Sequence, residues 1–169
     1  MGTPEQDEVF LAVIEQNKGI IYKIANSFKK DEDDKKDLMQ EIVLQLWRTF
    51  FSYDDRSKFS TWMYRVALNV AIASYRKEKK KNELITALPE SMIAFVNEEE
   101  INYKEHELTL LHQFINELKE LDRALILLYL EEKSGKEMAE ILGLSETNIR
   151  TKINRIKEQL KQRFSTNKI

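Results

Sequence analysis

Only four Gly and two Pro interrupt this 169-residue chain, and that scarcity limits the fold more than any other feature. Tight turns draw on Gly and Pro, so a multi-turn β-sandwich fits poorly and long helices fit well. Apolar residues accordingly recur at three- and four-residue intervals, the spacing of amphipathic helices. In the first segment they are Val9, Phe10, Val13, Ile14, Ile20, Ile21, Ile24 and Phe28. An acidic cluster at 31–34 breaks the pattern and offers N-cap residues for a second helix near 35–51. Its core face is Met39, Ile42, Val43, Leu46 and Phe50, and its other face carries Asp37, Gln40, Glu41, Leu44 and Arg48. The acidic cluster lacks the spaced carboxylates and central Gly of a calcium loop. A polar loop at 52–58 leads to a third helix with the stripe Phe59, Trp62, Met63, Val66, Ala67 and Val70. Arg65, Asn69 and Arg76 fall on a different face of it, where they suit either solvent or a nucleic-acid backbone.

Charge divides the chain further. The formal net charge is only −2, which by itself argues against a nucleic-acid binder. By segment the picture changes. Residues 61–82 hold 6 Lys/Arg against 1 Asp/Glu, net +5, and residues 134–169 hold 8 against 4, net +4. Between them, residues 83–108 hold 1 against 7, net −6, with Pro89 and the run Glu98-Glu99-Glu100. That acidic stretch reads as a linker, although Leu88, Met92, Ile93, Phe95 and Val96 give it apolar docking groups. The expected organisation is all-α: two small helical domains, 1–82 and 106–169, joined by a linker at 83–105.

Beyond the linker, Leu108, Leu110, Leu111, Phe114, Ile115 and Leu118 outline a fourth helix. Asp122 is an N-cap candidate for a fifth, whose interior at 124–130 is apolar nearly all round and hence largely buried. The C-terminal pattern is sharper. Ser134 is placed to cap a short helix ending at Leu142, with Met138, Ala139, Ile141 and Leu142 inward. Gly143 permits the positive φ that ends a helix and reverses the chain, and Ser145 is placed to cap the next helix. That helix turns Ile149, Ile153, Ile156 and Leu160 inward. Small Ala139, turn Gly143 and inward Ile149 suit two helices crossing closely, a helix-turn-helix. Glu146, Thr147, Asn148 and Arg150 would then stand near base edges, and Lys152, Arg155 and Lys157 near phosphates, with Ser145 at the head of the same set. An αα-hairpin with a basic exterior is the plainer alternative.

Several classes drop out. With no cysteine there is no disulfide framework, Cys-ligated zinc, iron–sulfur cluster or thiol nucleophile. His106 and His112 lie six apart on one expected helix and so on different faces, a poor metal pair. No Gly-rich phosphate loop, nucleophile elbow or paired-carboxylate motif is present, so neither enzyme nor cofactor is expected. The N-terminus lacks the basic start and apolar stretch of a signal peptide, and no run of about 18 apolar residues is present to insert into a membrane. A cytoplasmic protein is expected.

Three motifs resemble the extracytoplasmic-function group of bacterial RNA polymerase sigma factors. Asp37-Leu38-Met39-Gln40-Glu41-Ile42-Val43-Leu44-Gln45-Leu46-Trp47 is similar to the family's region 2.2. Phe59-Ser60-Thr61-Trp62-Met63-Tyr64-Arg65-Val66-Ala67-Leu68-Asn69 resembles the F-x-T-W-L-Y-R-I-A-x-N run of regions 2.3 and 2.4. Glu137-Met138-Ala139 and Leu142-Gly143-Leu144-Ser145 stand where region 4.2 has E-I-A and L-G-I-S.

The resemblance implies a factor that binds core polymerase, brings it to the −10 and −35 promoter elements and helps melt the first. Asp37, Gln40, Glu41 and Leu44 would meet the clamp helices of the largest polymerase subunit, and the C-terminal domain the flap of the second-largest. The loop at 51–58 would hold a flipped −10 base with Phe51, Tyr53, Ser57 and Lys58. Arg65 and Asn69 would touch the non-template strand, and Arg76 and Lys77 the adjacent phosphates. Residues 145–157 would read the −35 element. An anti-sigma factor is a further expected partner. Trp62 lies on the apolar stripe, which favours core packing over a melting wedge. A stand-alone helix-turn-helix repressor explains 134–165 but not the two N-terminal motifs.

Overall fold

The computed structural model describes residues 3–84 and 106–166. The expected linker residues Leu88, Pro89, Met92, Ile93, Phe95, Val96 and Glu98 to Glu100 lie outside the described residues. The chain forms α1 (Pro4–Phe28), α2 (Glu32–Thr49), a single 3₁₀ turn (Phe50–Ser52), α3 (Phe59–Leu84), α4 (His106–Glu117), α5 (Glu120–Leu130), α6 (Gly135–Leu142) and α7 (Glu146–Thr166). Every described element is helical, in keeping with the all-α reading.

Local chemistry sets most of the boundaries. Thr3 and Gln6 form a reciprocal capping box at the start of α1, at 2.9 and 3.3 Å, with Pro4 in the first turn. The Ser134 hydroxyl accepts from the Glu137 N–H at 3.1 Å, and the Ser145 hydroxyl from the Asn148 N–H at 3.1 Å. Both satisfy donors that have no partner inside the helix. Gly143 takes the left-handed conformation, φ 68° and ψ 33°, and donates to the Ala139 carbonyl at 2.9 Å. The expected reversal is formed there.

Two caps differ from expectation. Helix α2 begins three residues earlier than the pattern indicated, with Asp31 at the N-cap position, yet the Asp31 side chain makes no capping hydrogen bond. Acidic Glu32, Asp33 and Asp34 instead fill the first turn, where the helix dipole favours them. Asp122 does not cap α5. That helix starts at Glu120 with Lys119 at the cap, so Asp122 sits inside the first turn and accepts from Arg155.

Helices α1, α2 and α3 pack on one another around Phe10, Ile21, Ile24, Leu38, Ile42, Leu46, Met63 and Ala67. Burying each large aliphatic side chain stabilises by about 1.5–3 kcal/mol, before the cost of ordering the chain. The buried face of α2 is rotated from the expected one. Leu38 is fully buried, while Met39, Val43 and Phe50 are half-buried. Val9, expected in the stripe of α1, is 55% exposed; the next residue, Phe10, about 100° round the helix, takes the inward position and engages Trp47 and Phe50 edge-on. On α3, Tyr64, Leu68 and Ala71 are buried although they lie outside the expected stripe. Helices α5 and α6 cover α3 from a second side. The C-terminal helices pack around Phe114, Leu125, Leu128, Met138, Ile141, Ile149, Ile153 and Ile156. Residues 124–128 of α5 are buried as expected, whereas its last two residues, Tyr129 and Leu130, are exposed.

Candidate functional site

Helix α2 has two exposed flanks, and the four residues of the expected polymerase contact divide between them. Gln40 and Leu44 stand on one flank beside a groove of about 760 Å³ between α1 and α2. Its walls are apolar: Phe10, Leu11 and Ile14 from α1, Met39, Val43 and Trp47 from α2. Leu44 is 47% exposed and Leu11 62%. An unpartnered apolar surface of that kind is the ordinary mark of a docking site. Asp37 and Glu41 stand on the other flank, toward α3, with Lys29, Lys77 and Glu78. Lys29 is almost wholly buried there, its ammonium 2.6 Å from the Glu78 carboxylate. The sequence pattern found Phe10 and Ile14 of the α1 wall but missed Leu11 and Tyr22. Leu11 and Tyr22 lie on the flank beside the core stripe, eleven residues or about three turns apart, and that spacing was the available signal.

The loop after α2 is held by rings. Phe51 packs edge-on against Trp47 at 5.8 Å and Phe50 at 5.0 Å, and stays half-exposed. Tyr53 lies against Phe59 at 5.6 Å and Trp62 at 5.3 Å, and its hydroxyl donates to the Ser57 carbonyl. Trp62 is half-buried within this group. Ser57 is half-buried and Lys58 exposed. The loop thus presents a stacking edge, a fixed phenol and a free ammonium side by side. Desolvation raises the Tyr53 hydroxyl pKa, with Asp55 and Asp54 adding to the effect.

Along α3, Arg65, Asn69, Arg76 and Lys77 are all exposed. Two of them meet the C-terminal helices. The Arg65 guanidinium donates to the Glu140 carbonyl through Nε at 3.1 Å and Nη2 at 2.6 Å. Arg76 Nε donates to Glu120 Oε1 at 2.9 Å, and that bond, more than any other cause, holds the Glu120 carboxyl below its ordinary value. Tyr64, on the buried side of the same helix, has its hydroxyl pushed up to about 12, chiefly by burial and then by Glu131.

On α7, Glu146, Thr147, Asn148 and Arg150 are exposed in the first turn and a half, while Ile149 anchors the helix inward. Ser145 spends its hydroxyl on the cap. Lys152 is half-buried. Arg155 lies 3.4 Å from the Asp122 carboxylate, and the Lys157 ammonium sits 4.4 Å from the centre of the Tyr129 ring. The expected base-reading group is therefore open, and two of the three expected phosphate contacts have partners within the chain. Among the described residues no cluster of His, Asp or Glu is arranged to hold a metal, and no helix is long and apolar enough to cross a membrane.

The chain is similar to known proteins over most of its length. The family model for sigma-70 region 2 matches residues 13–81, and that for sigma-70 region 4 matches residues 108–160. The ECF RNA polymerase sigma factor SigM of Bacillus subtilis is 29% identical, over 86% of this chain and 88% of its own. SigW of the same organism is 26% identical, over 93% and 89%. Among solved structures, CnrH in complex with the cytosolic domain of CnrY has a TM-score of 0.68 at 20% identity, covering 95% of this chain and 90% of that one. The sigma factor RpoE of Bartonella quintana, in complex with the anti-sigma factor NepR, has a TM-score of 0.64 at 17% identity, covering 96% and 98%. Helical order, helix-turn-helix and both matched regions converge: the chain belongs to the sigma-70 family of RNA polymerase sigma factors, in its extracytoplasmic-function group, and serves transcription initiation.

Proposed function

We propose that residues 1–82 and 106–169 act as separate reading heads of one initiation factor, joined through 83–105. In this reading α2 binds core polymerase with both flanks, Gln40 and Leu44 on the apolar groove, Asp37 and Glu41 on the charged one. The observation that carries the proposal is the exposed Leu44 set among polar neighbours above an apolar groove. Such a surface suits a partner helix better than it suits water. Extruding a −10 base costs a few kcal/mol and needs stacking surface with hydrogen-bond donors. Phe51, Tyr53, Ser57 and Lys58 offer that set. Arg65, Asn69, Arg76 and Lys77 continue the path along α3, and Ser145 to Arg150, with Lys152, Arg155 and Lys157, dock α7 in the major groove of the −35 element. The protein works in the cytoplasm with the polymerase and catalyses no reaction of its own. The CnrH and RpoE structures hold CnrY and NepR, and an anti-sigma factor covering the α1–α2 groove of this chain is part of the proposal.

Run-off transcription with core polymerase tests it. Purified protein is expected to form a complex with core enzyme and to yield promoter-dependent transcripts. Tight binding of duplex operators without polymerase, and no complex with core, would replace this reading with the stand-alone repressor.

A further inference from the structure

The loop between α2 and α3 is closed on itself and holds one side chain out. Tyr53 opens the closed stretch. Its N–H donates to the Phe50 carbonyl at 3.3 Å, its ring packs on Phe59 and Trp62, and its hydroxyl donates to the Ser57 carbonyl. The two ends of a short tip, Asp54-Asp55-Arg56, are thereby pinned together. Within the tip Asp55 has φ 62°, a left-handed conformation that costs energy in any residue with a Cβ. One carboxylate then fixes Arg56 twice. Asp54 Oδ1 accepts from the Arg56 N–H at 3.3 Å, and Asp54 Oδ2 lies 2.9 Å from Arg56 Nε. The Arg56 side chain is nonetheless 89% exposed. Among the described residues its guanidinium has no partner besides Asp54.

An ion pair this exposed adds little stability, and the strained Asp55 adds none. Strain that stability does not account for points to a task. What the tip supplies is orientation: with Nε held by Asp54, the planar guanidinium presents its remaining N–H groups outward as a fork. We infer that Arg56 is a further specificity-determining residue, which reads a −10 base carrying two adjacent acceptors on one edge. This rests on the reading of the loop as the site of the flipped base, and adds a residue to Phe51, Tyr53, Ser57 and Lys58. Cytosine carries such a pair at N3 and O2 and guanine at N7 and O6, whereas adenine and thymine carry none. Charge favours a base over a phosphate. Two carboxylates against one guanidinium leave the tip at net −1, which repels a phosphodiester but keeps the donor pattern that a neutral base needs. Lys58, exposed at the end of the loop, suits the neighbouring phosphate better. Tyr53, its hydroxyl spent on Ser57, is a positioning residue that acts through Arg56.

The test is run-off transcription with core polymerase from one promoter, with each of the four bases placed in turn at every position of its −10 element. At one position the parent is expected to favour cytosine or guanine over adenine and thymine by at least about fivefold. Arg56→Ala is expected to bring that preference to within about twofold and to leave the preferences at the other positions as they are. Arg56→Lys, which keeps the charge but loses the fork, is expected to do the same. Tyr53→Phe keeps the ring contacts and frees the tip, so it is expected to weaken the preference at that position alone, at an unchanged melting temperature. An even fall at all positions in Tyr53→Phe would make its hydroxyl merely structural. Transcription that falls evenly across bases in Arg56→Ala and recovers in Arg56→Lys would make Arg56 a phosphate contact and overturn the inference. Parent-like preferences in Arg56→Ala overturn it as well. If Phe51→Ala then loses the preference while Arg56→Ala keeps it, the loop remains the base site and Arg56 alone is removed. Absence of transcripts from the parent sinks the initiation reading itself.

Discussion

Replacing glycines by alanine separates backbone conformation from packing in this fold. A Cβ built at Gly19 or at Gly143 meets nothing within 4 Å, so neither substitution clashes. Only φ differs in its consequences. Gly19 lies inside α1, where exchanging Gly for Ala stabilises an exposed helix by up to about 1 kcal/mol. Gly143 has φ 68°. Alanine there is strained by about 1–2 kcal/mol, and the stiffer unfolded chain offsets about 0.4–1 kcal/mol of it. The net loss is about 1 kcal/mol, opposite in sign to the gain at Gly19. With a urea m-value of about 1–3 kcal/mol per molar, the Gly143→Ala midpoint falls by about 0.3–1 M. Gly143→Asn loses less, since Asn tolerates the left-handed region. The two tryptophans, Trp47 and Trp62, both lie in the N-terminal half, so fluorescence reports that half while circular dichroism reports the whole chain. Coincident shifts of both probes in Gly143→Ala indicate that the contacts of Arg123 with Ser27 and Tyr75 couple the halves, and a shift in circular dichroism alone indicates that α4–α7 unfold separately. A stabilising Gly143→Ala, matching Gly19→Ala in sign, refutes the left-handed turn and with it the crossing of α6 and α7.

Leu44→Asp places a charge on the apolar groove without touching the core, and is expected to weaken core-polymerase binding at least tenfold, about 1.4 kcal/mol, at an unchanged melting temperature. A parallel fall in both quantities would mean that Leu44 is structural. Arg150→Ala is expected to lower use of promoters that depend on the −35 element, whereas Arg155→Ala, which also loses Asp122, is expected to lower binding evenly across sequences; equal promoter preference in Arg150→Ala and parent removes Arg150 from the base-reading set. The Glu120 carboxyl, held down first by Arg76, contributes stability that is present above the ordinary glutamate value of about 4.3 and lost as pH falls through its lowered value. Arg76→Ala should therefore raise the Glu120 titration seen by carboxyl NMR, and should flatten the fall in urea midpoint between pH 5 and pH 3.

Helical periodicity and turn chemistry were legible in the sequence because each depends on neighbours close along the chain. Ser134, Gly143 and Ser145 need only their own turn to act, and the structure places them as the spacing predicted. The core face of α2 was less legible. Leu38 and Met39 are equally apolar neighbours, and only the approach of α1 and α3 decides that Leu38 is the one sealed. Tyr64 and Leu68 were missed for a related reason: α3 is covered from two sides, so its buried arc is wider than one amphipathic stripe. Asp122 misled because a cap and a first-turn acid share the same residue preference; the helix starts at Glu120, two residues before it, with Lys119 at the cap position and Asp122 in the first turn. Arg123 carried no local signal at all. An arginine among apolar residues reads as a surface residue until the partners that bury it, 96 positions away at Ser27, are in place.

The same long-range pairing gives the charge distribution a sharper meaning. The basic segments 61–82 and 134–169 carry +5 and +4 within a chain of net −2, so long-range attraction to DNA is expected to be weak. Five of those basic groups are also engaged within the chain. Arg65 and Arg76 bond to the C-terminal half, Arg155 pairs with Asp122, Lys157 lies on Tyr129, and Arg163 pairs with Glu117. Nonspecific affinity comes from counterions released as phosphates are neutralised. Each of these groups must first give up an internal partner, so its net gain on meeting a phosphate is smaller than that of a free ammonium or guanidinium. Added salt weakens the internal pairs as well as the phosphate contacts. The salt dependence of DNA binding by the free protein should then be shallower than its count of proposed phosphate contacts implies. In the proposed reading, polymerase bound at the flanks of α2 supplies the promoter affinity that these engaged groups do not.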